Sequence, residues 1–311
     1  MKELFLLRII WLENPLCQQV SVAGGKAANL AKLAGHFRVP PGFVILQQFV
    51  TQSAVAAAYQ RLGHILGEAQ PAVAVRSSAT DEDGATAAFA GQYETYLNVI
   101  GADAVWAAIE RCWASANSER VMEYRRQLGI TTHHQRLAVL IQALAPADVS
   151  AVIFSANPVT QSRREIVVNA SWGLGESIVG GTVTPDTFII QADRTLRYPE
   201  QIITSQIADK VSMTVRGTTG TQMVRVPTFL RMQPSVQEAE VREMAQLALD
   251  LQAHFGYPVD VECAYAAGKL YLLQCRPITT LATAPPWRAF SSSATYQASC
   301  GRTHNNETRA A

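Results

Sequence analysis

The segment from Val259 to Arg276 leaves the chain few ways to fold. Val259-Asp260-Val261-Glu262-Cys263 and Leu270-Tyr271-Leu272-Leu273-Gln274-Cys275-Arg276 are strand-like runs on either side of a turn near Gly268. Alternation places Asp260 with Glu262, and Gln274 with Arg276, on single faces of their strands. In an antiparallel pair the numbers of opposed residues have a constant sum, and a slip of one residue turns one strand over. A sum of 536 sets Glu262 opposite Gln274 and Asp260 opposite Arg276, leaving the pairs Cys263–Leu273 and Val261–Cys275 on the other face. A sum of 535, which a two-residue turn at Ala267-Gly268 would give, sets the carboxylates against apolar side chains instead. Burial of one apolar face therefore predicts the even sum and an odd-numbered loop, three residues long, with Gly268 left-handed. Two carboxylates spaced like Asp260 and Glu262 suit Mg²⁺, a cation that takes oxygen ligands and shares them with nucleotide phosphates. A solvent-facing hairpin with ordinary charges is the other reading of the same residues.

Two more stretches carry anion-binding chemistry. Val73-Ala74-Val75 brings Arg76 to the end of a strand, and small and polar residues follow through Gly91-Gln92. Such a composition lets backbone N–H groups approach a phosphate, with a cation at the base of the loop; a strand followed by a plain surface loop fits equally. Gly24-Gly25-Lys26 opens a helical pattern with Ala27, Leu30, Leu33 and Ala34 on one face. A glycine-led helix start offers free N–H groups and the positive end of the helix dipole, and Lys26 lies in its first turn. It is not a Walker A loop, because Val20 stands five residues before Gly25 and Ala27 follows Lys26. On these residues alone, a solvated lysine at a helix start is the simpler account.

In order along the chain come Gly24-Gly25-Lys26, Val39-Pro40-Pro41-Gly42-Phe43, Arg76-Ser77-Ser78-Ala79-Thr80, Phe89-Ala90-Gly91-Gln92, Ala170-Ser171-Trp172-Gly173-Leu174-Gly175-Glu176, Thr184-Pro185-Asp186-Thr187 and Gln274-Cys275-Arg276-Pro277-Ile278-Thr279. In these motifs, over about residues 11 to 281, the chain resembles the ATP-binding domain of the pyruvate phosphate dikinase, phosphoenolpyruvate synthase and rifampin phosphotransferase group. The resemblance implies an α/β (α+β) protein of ATP-grasp type, with the nucleotide between two lobes, approximately 1–99 and 100–281. It implies Lys26, Arg76 and Arg276 on the phosphates, Arg76 and Arg276 as the catalytic cations, and Mg²⁺ on Asp260 and Glu262. Gln274 would contact the nucleotide or metal-bound water. The loop from Thr80 to Gln92, including Gly91, would close over the triphosphate, and the connection Gln142-Ala143-Leu144 would lie against adenine. Glu176 is the weakest candidate. The resembling enzymes phosphorylate a histidine on a separate carrier domain, and none of the six histidines here has that context. The expected function is a Mg·ATP-dependent phosphotransferase domain, incomplete on its own, whose phosphohistidine partner comes from elsewhere. A nucleotide-binding regulatory module or a decayed fragment is the alternative. The short interval between Leu46 and Pro71 departs from the family and questions the packing behind Arg76.

Composition agrees with a folded domain: 48% hydrophobic and 16% charged residues. A net charge of +1 gives no electrostatic case for nucleic acid or an anionic membrane. The five cysteines are scattered without a C-x-x-C pair, which fits a reducing, cytoplasmic setting. Arg8 interrupts the N-terminal apolar run and Glu13-Asn14-Pro15 follows it, so a buried first strand is expected rather than a signal peptide. Helices are expected over 101–113 and from a capping box of Ser235 with Glu238 to Gly256. From Ala282 the chain reads as a disordered tail or truncated linker.

Overall fold

The computed structural model describes residues 9–46, 50–80, 94–115, 137–193 and 198–281. The expectations for residues 282–311, for Gly91 and for Gln92 fall outside these. The compact unit runs to Thr280.

Two antiparallel sheets organise it. The first, in the order β1-β2-β5-β3-β4, consists of β1 (Ile9–Trp11), β2 (Gly42–Ile45), β5 (Ala138–Ala143), β3 (Val73–Ser78) and β4 (Thr95–Val99). It therefore draws on residues either side of position 99. The second is six-stranded, in the order β13-β12-β6-β7-β8-β9. Its members are β6 (Val149–Phe154), β7 (Glu165–Trp172), β8 (Asp186–Asp193), β9 (Tyr198–Gln206), β12 (Val259–Ala266) and β13 (Lys269–Pro277). A separate ribbon pairs β10 (Ser212–Arg216) with β11 (Thr221–Arg225).

The central strands of the first sheet read as continuous apolar runs because both of their faces are buried. Phe43, Ile45, Val73, Val75, Val139 and Ile141 pack with helices α2 (Gln52–Leu66) and α3 (Ala102–Ser115). Val44, Ala138 and Leu140 face helix α1 (Val20–Leu33) and the core of the second sheet. The short interval before Pro71 therefore still holds a 15-residue helix. Val73 and Val75, which precede Arg76 on its strand, are fully buried against it. The second sheet lays Ile153, Val168, Ile190 and Val261 in one core cluster with Val241, Met244 and Ala248 of a long helix, Glu238–Phe255. A short helix, α4 (Glu176–Val179), precedes β8, and the long one is α5.

Two local expectations need correction. The capping box on α5 is Gln237 with Glu240, not Ser235 with Glu238. Ser235 instead gives both its N–H and its hydroxyl to Asp186, each at 2.7 Å. The β12–β13 turn has two residues rather than three: Ala267 (φ 49°) and Gly268 (φ 69°) both lie in the left-handed region. That geometry matches the strand twist of a hairpin. Both registers then occur in one hairpin. From Ala266–Lys269 to Cys263–Leu272 the sum is 535, and from Glu262–Gln274 to Val259–Pro277 it is 536. Leu273 is the extra residue, a β-bulge. The physical reason is in the sequence: Leu272 and Cys275 are both core residues at 1% exposure, and they differ in parity. Strict alternation cannot bury both, whereas one bulge between them does. Because Ala267 holds a left-handed conformation without contributing a side chain that favours it, Ala267→Asn is expected to stabilise by about 0.5–1 kcal/mol in urea unfolding. A loss of stability would contradict the turn assignment.

Candidate functional site

Directly opposed residues of neighbouring strands share a face. The row Gln274–Glu262–Val152–Asn169–Thr187 therefore runs across β13, β12, β6, β7 and β8 on the face turned away from α5. Glu262, Val152, Asn169 and Thr187 along it are half-buried. Thr187 donates to Asn169 at 2.9 Å. One row over, Asp260 faces Arg276. The expected even register thus holds where the polar residues are, and all four occupy one surface.

The first sheet reaches that surface through Arg76, 8% exposed, on β3. Its Nη1 donates to the Leu273 carbonyl at 2.8 Å, Nη2 donates to Gln274 Oε1 at 2.5 Å, and Nη2 lies 3.6 Å from Glu262 Oε2. The bulge thus has a second use: the carbonyl of its extra residue becomes an arginine acceptor. Arg276 donates from Nε and Nη2 to Asp260 Oδ2, at 2.8 and 2.7 Å. Burial pushes the Asp260 carboxyl above its usual range, against the pull of Arg276 beside it. Asp260 Oδ1 is buried with no hydrogen-bond partner, as are Arg76 Nε and Ser171 Oγ, the last on β7 two residues beyond Asn169.

Lys26 comes from α1. Its Nζ donates to the Ser77 carbonyl at 3.2 Å, and the side chain is nearly buried. What brings it there is a kink: Gly24 has φ 77°, and a Cβ on it would lie 2.0 Å from the Ser78 carbonyl oxygen. This contact uses up the helix start. The Gly25 N–H goes to Ala79 O (2.9 Å) and the Ala27 N–H to Ser78 Oγ (3.0 Å). The glycine-led anion nest is therefore filled by the protein itself at those two groups, and the cationic contribution of this segment is the Lys26 side chain. Thr80, half-buried, follows Ala79 on the same chain segment.

Gln142 is not brought to this cluster by any described hydrogen bond. It is the penultimate residue of β5, paired with β2 and β3 on either side and 2% exposed, and its Nε2 donates to Pro40 O at 3.1 Å. The N–H groups of Ala143 and Leu144 go to Pro41 O and Ala72 O. Glu176 accepts from Thr221 of the ribbon at 2.7 Å. Sequence reasoning missed the Leu273 carbonyl, although the adjacent pair Leu272-Leu273 signals a phase change. It also gave no role to Asn169, or to Thr187, which it placed only within the motif Thr184-Pro185-Asp186-Thr187.

For Mg²⁺ the donor chemistry fits. Asp260 and Glu262 offer carboxylate oxygens, one of them buried and unpartnered, beside the amide oxygen donor Gln274. Among the described residues no group of three or more His, Cys, Asp or Glu side chains could hold a metal unaided. A cation here would need phosphate oxygens and water to complete its shell.

The fold and site thus define a mixed α/β domain in which an arginine from one sheet meets polar and carboxylate groups on the other. Residues 47–291 match the family described as pyruvate phosphate dikinase, AMP/ATP-binding domain, and the chain belongs to that family. It is 42% identical to phosphoenolpyruvate synthase of Pyrococcus furiosus over 73% of this chain, and 35% identical to a probable phosphoenolpyruvate synthase of Methanocaldococcus jannaschii over 88%. Similarity extends to rifampicin phosphotransferase of Streptomyces sviceus, 33% identical over 86% of the chain. The matched regions span only 28%, 27% and 35% of those proteins respectively. The chain is an AMP/ATP-binding domain of that family. Among the described residues no helix is long and apolar enough to cross a membrane.

Proposed function

We propose that this domain binds Mg·ATP between its two sheets, as two lobes of ATP-grasp type, and passes a phosphoryl group to a histidine on a carrier domain or partner protein. The observation that supports this best is Arg76 reaching from the first sheet to Leu273, Gln274 and Glu262 on the second. A cation held across the groove between two lobes is placed to touch a ligand that enters it. Lys26, Arg76 and Arg276 neutralise the phosphates, and Gln274 orients the nucleotide or a water near it. Thr80, with Gly91 and Gln92 further along, begins the segment assigned to covering the triphosphate. Asp260 and Glu262 would hold Mg²⁺, which would supply charge neutralisation of the phosphates. With phosphoryl transfer, the protein's part is positioning and electrostatic stabilisation rather than covalent chemistry. With ATP bound, Arg276 and Arg76 would exchange part of their carboxylate contacts for phosphate, leaving Asp260 and Glu262 placed to hold Mg²⁺.

Calorimetric titration with Mg·ATP tests the binding step. Lys26→Ala and Arg276→Ala are each expected to weaken binding by about 1.5–3 kcal/mol, the scale of a charge-assisted hydrogen bond, or roughly 10- to 150-fold. Unchanged affinity in both variants would move the site elsewhere. Transfer is tested by adding a separately expressed phosphohistidine domain from a relative and following phosphate onto it. Binding without transfer would favour a nucleotide-binding module that performs no chemistry.

A further inference from the structure

We propose that Asn98 is a positioning residue: it clasps the tip of the β10–β11 hairpin, making that hairpin a strap that ties the second sheet to the first and retains the nucleotide between them. The inference rests on the nucleotide reading above and adds to it a residue and a segment with no part in the phosphate or metal chemistry.

The base of the strap is fixed on the second sheet's side. Gly173, directly after β7, forms a parallel bridge with Thr214, and the Leu174 N–H donates to the Thr214 carbonyl at 2.8 Å. The approach is so close that a Cβ on Gly173 would lie 2.3 Å from that carbonyl oxygen. Thr221 on the returning strand donates to Glu176 on α4. From Thr214 three extended residues, roughly 10 Å of strand at about 3.4 Å each, carry the chain to the tip at Gly217.

The tip is held by the first sheet. Asn98 lies on its edge strand β4, at an irregularity in pairing with β3, and has φ 54°. A left-handed residue inside a strand turns its neighbours out of the ladder, and asparagine tolerates that conformation better than most residues. Its side-chain amide, 2% exposed with the rest of the residue, donates to two carbonyls of the tip, Gly217 at 2.9 Å and Gly220 at 2.6 Å. That accounts for both hydrogens of the amide nitrogen. The Gly220 N–H returns a hydrogen bond to the Asn98 carbonyl at 3.2 Å. The β3–β4 pair thus meets the second-sheet side at two described places: at Arg76, on β13, and at Asn98, on the strap. An aspartate at position 98 would turn both donors into acceptors facing carbonyl oxygens. A glycine would keep the left-handed backbone and remove only the amide.

Asn98→Gly and Asn98→Asp in the full chain, each with stopped-flow release of a fluorescent ATP analogue in Mg²⁺, test the clasp. Limited trypsin digestion reports on the strap, through exposed Arg216 and Arg225. Both variants are expected to release the analogue at least tenfold faster than wild type and to be cut faster after Arg216. Faster cutting with release within twofold of wild type would show a loose strap that retains nothing, and would overturn the proposal. Unchanged cutting would overturn it too, because the amide would then be holding nothing. If wild type fails to bind the analogue, the nucleotide reading falls and the clasp with it. If wild type binds and the variants release at its rate, only the clasp falls.

Discussion

Gly24→Ala is expected to lower the stability of the domain by roughly 2–5 kcal/mol. Two costs add. At φ 77° a side chain sits in the left-handed region, at about 1–2 kcal/mol, and the new methyl would lie 2.0 Å from the Ser78 carbonyl oxygen and 2.4 Å from its carbon. Backbone of a central part of the fold cannot swing aside as a flexible side chain does, so overpacking adds about 1–3 kcal/mol. Gly67 supplies the control. It has φ 72° at the end of α2, and a methyl added there would meet nothing within 4 Å, so Gly67→Ala carries the conformational cost alone. Urea unfolding of the two variants separates the terms. A Gly24→Ala loss within about 1 kcal/mol of the Gly67→Ala loss would mean that the α1–β3 contact yields easily. The same contact positions Lys26 over the Ser77 carbonyl, so the variant is also expected to weaken ATP binding at temperatures where it remains folded.

That contact marks where the sequence was legible and where it was not. Gly24-Gly25-Lys26 can be read as a special helix start, and the helix and its buried face follow from spacing. The partner cannot be read, because Ser78 is 54 positions away, and only tertiary structure reveals that the N–H groups of Gly25 and Ala27 are spent on Ser78 and Ala79. The hairpin gives the reverse lesson. Its polar register follows from alternation alone, yet the turn length does not, because a bulge at Leu273 lets two registers coexist. A rule that assumes one register per hairpin fails wherever core demands at the two ends differ in parity, as Leu272 and Cys275 do. Asn98 escaped notice for a third reason. A polar residue in a short strand reads as an exposed position, and its partners Gly217 and Gly220 lie more than a hundred residues on.

Electrostatics explain why the candidate site is stable before any ligand binds. Each carboxylate on β12 has an arginine: Asp260 has Arg276 from the neighbouring strand, and Glu262 has Arg76 from the other sheet. Buried charges of one sign would be costly, whereas crossed pairs compensate one another and leave the arginines preorganised. The two pairs are not equivalent. Arg276 approaches Asp260 through two nitrogens at hydrogen-bond distance, while Arg76 stands 3.6 Å from Glu262 and makes its closer bonds to Leu273 and Gln274. Glu262 is accordingly the carboxylate that a cation would release more easily, and the Arg76 guanidinium would then keep its place through neutral acceptors.

Breaking the Asp186–Lys210 pair is expected to cost about 3–5 kcal/mol, more for Asp186→Ala than for Lys210→Met. Both side chains are fully buried and in direct contact. The carboxylate also accepts from the Ala208 N–H at 2.9 Å and from the N–H and hydroxyl of Ser235. The ammonium has, besides Asp186, the Ala208 carbonyl at 3.0 Å. Removing one partner leaves an uncompensated charge in the interior, which costs far more than the pair itself contributes. The difference between the variants comes from what remains. Lys210→Met leaves the carboxylate with three neutral donors and fills the lysine stem's space, whereas Asp186→Ala leaves the ammonium with one carbonyl. A double variant, Asp186→Leu with Lys210→Met, is expected to be more stable than Asp186→Ala, because no charge is left buried. Urea unfolding measures all three. Lys210→Met within about 0.5 kcal/mol of wild type would show that water reaches the pair. Asp186 begins β8, residues 208–210 lead directly into β10, and Ser235 precedes α5, so the same carboxylate roots the strap whose tip Asn98 holds. Lys210→Met should therefore also speed tryptic cutting after Arg216 under conditions where the rest of the domain stays folded, linking a buried charge pair to the attachment of the hairpin.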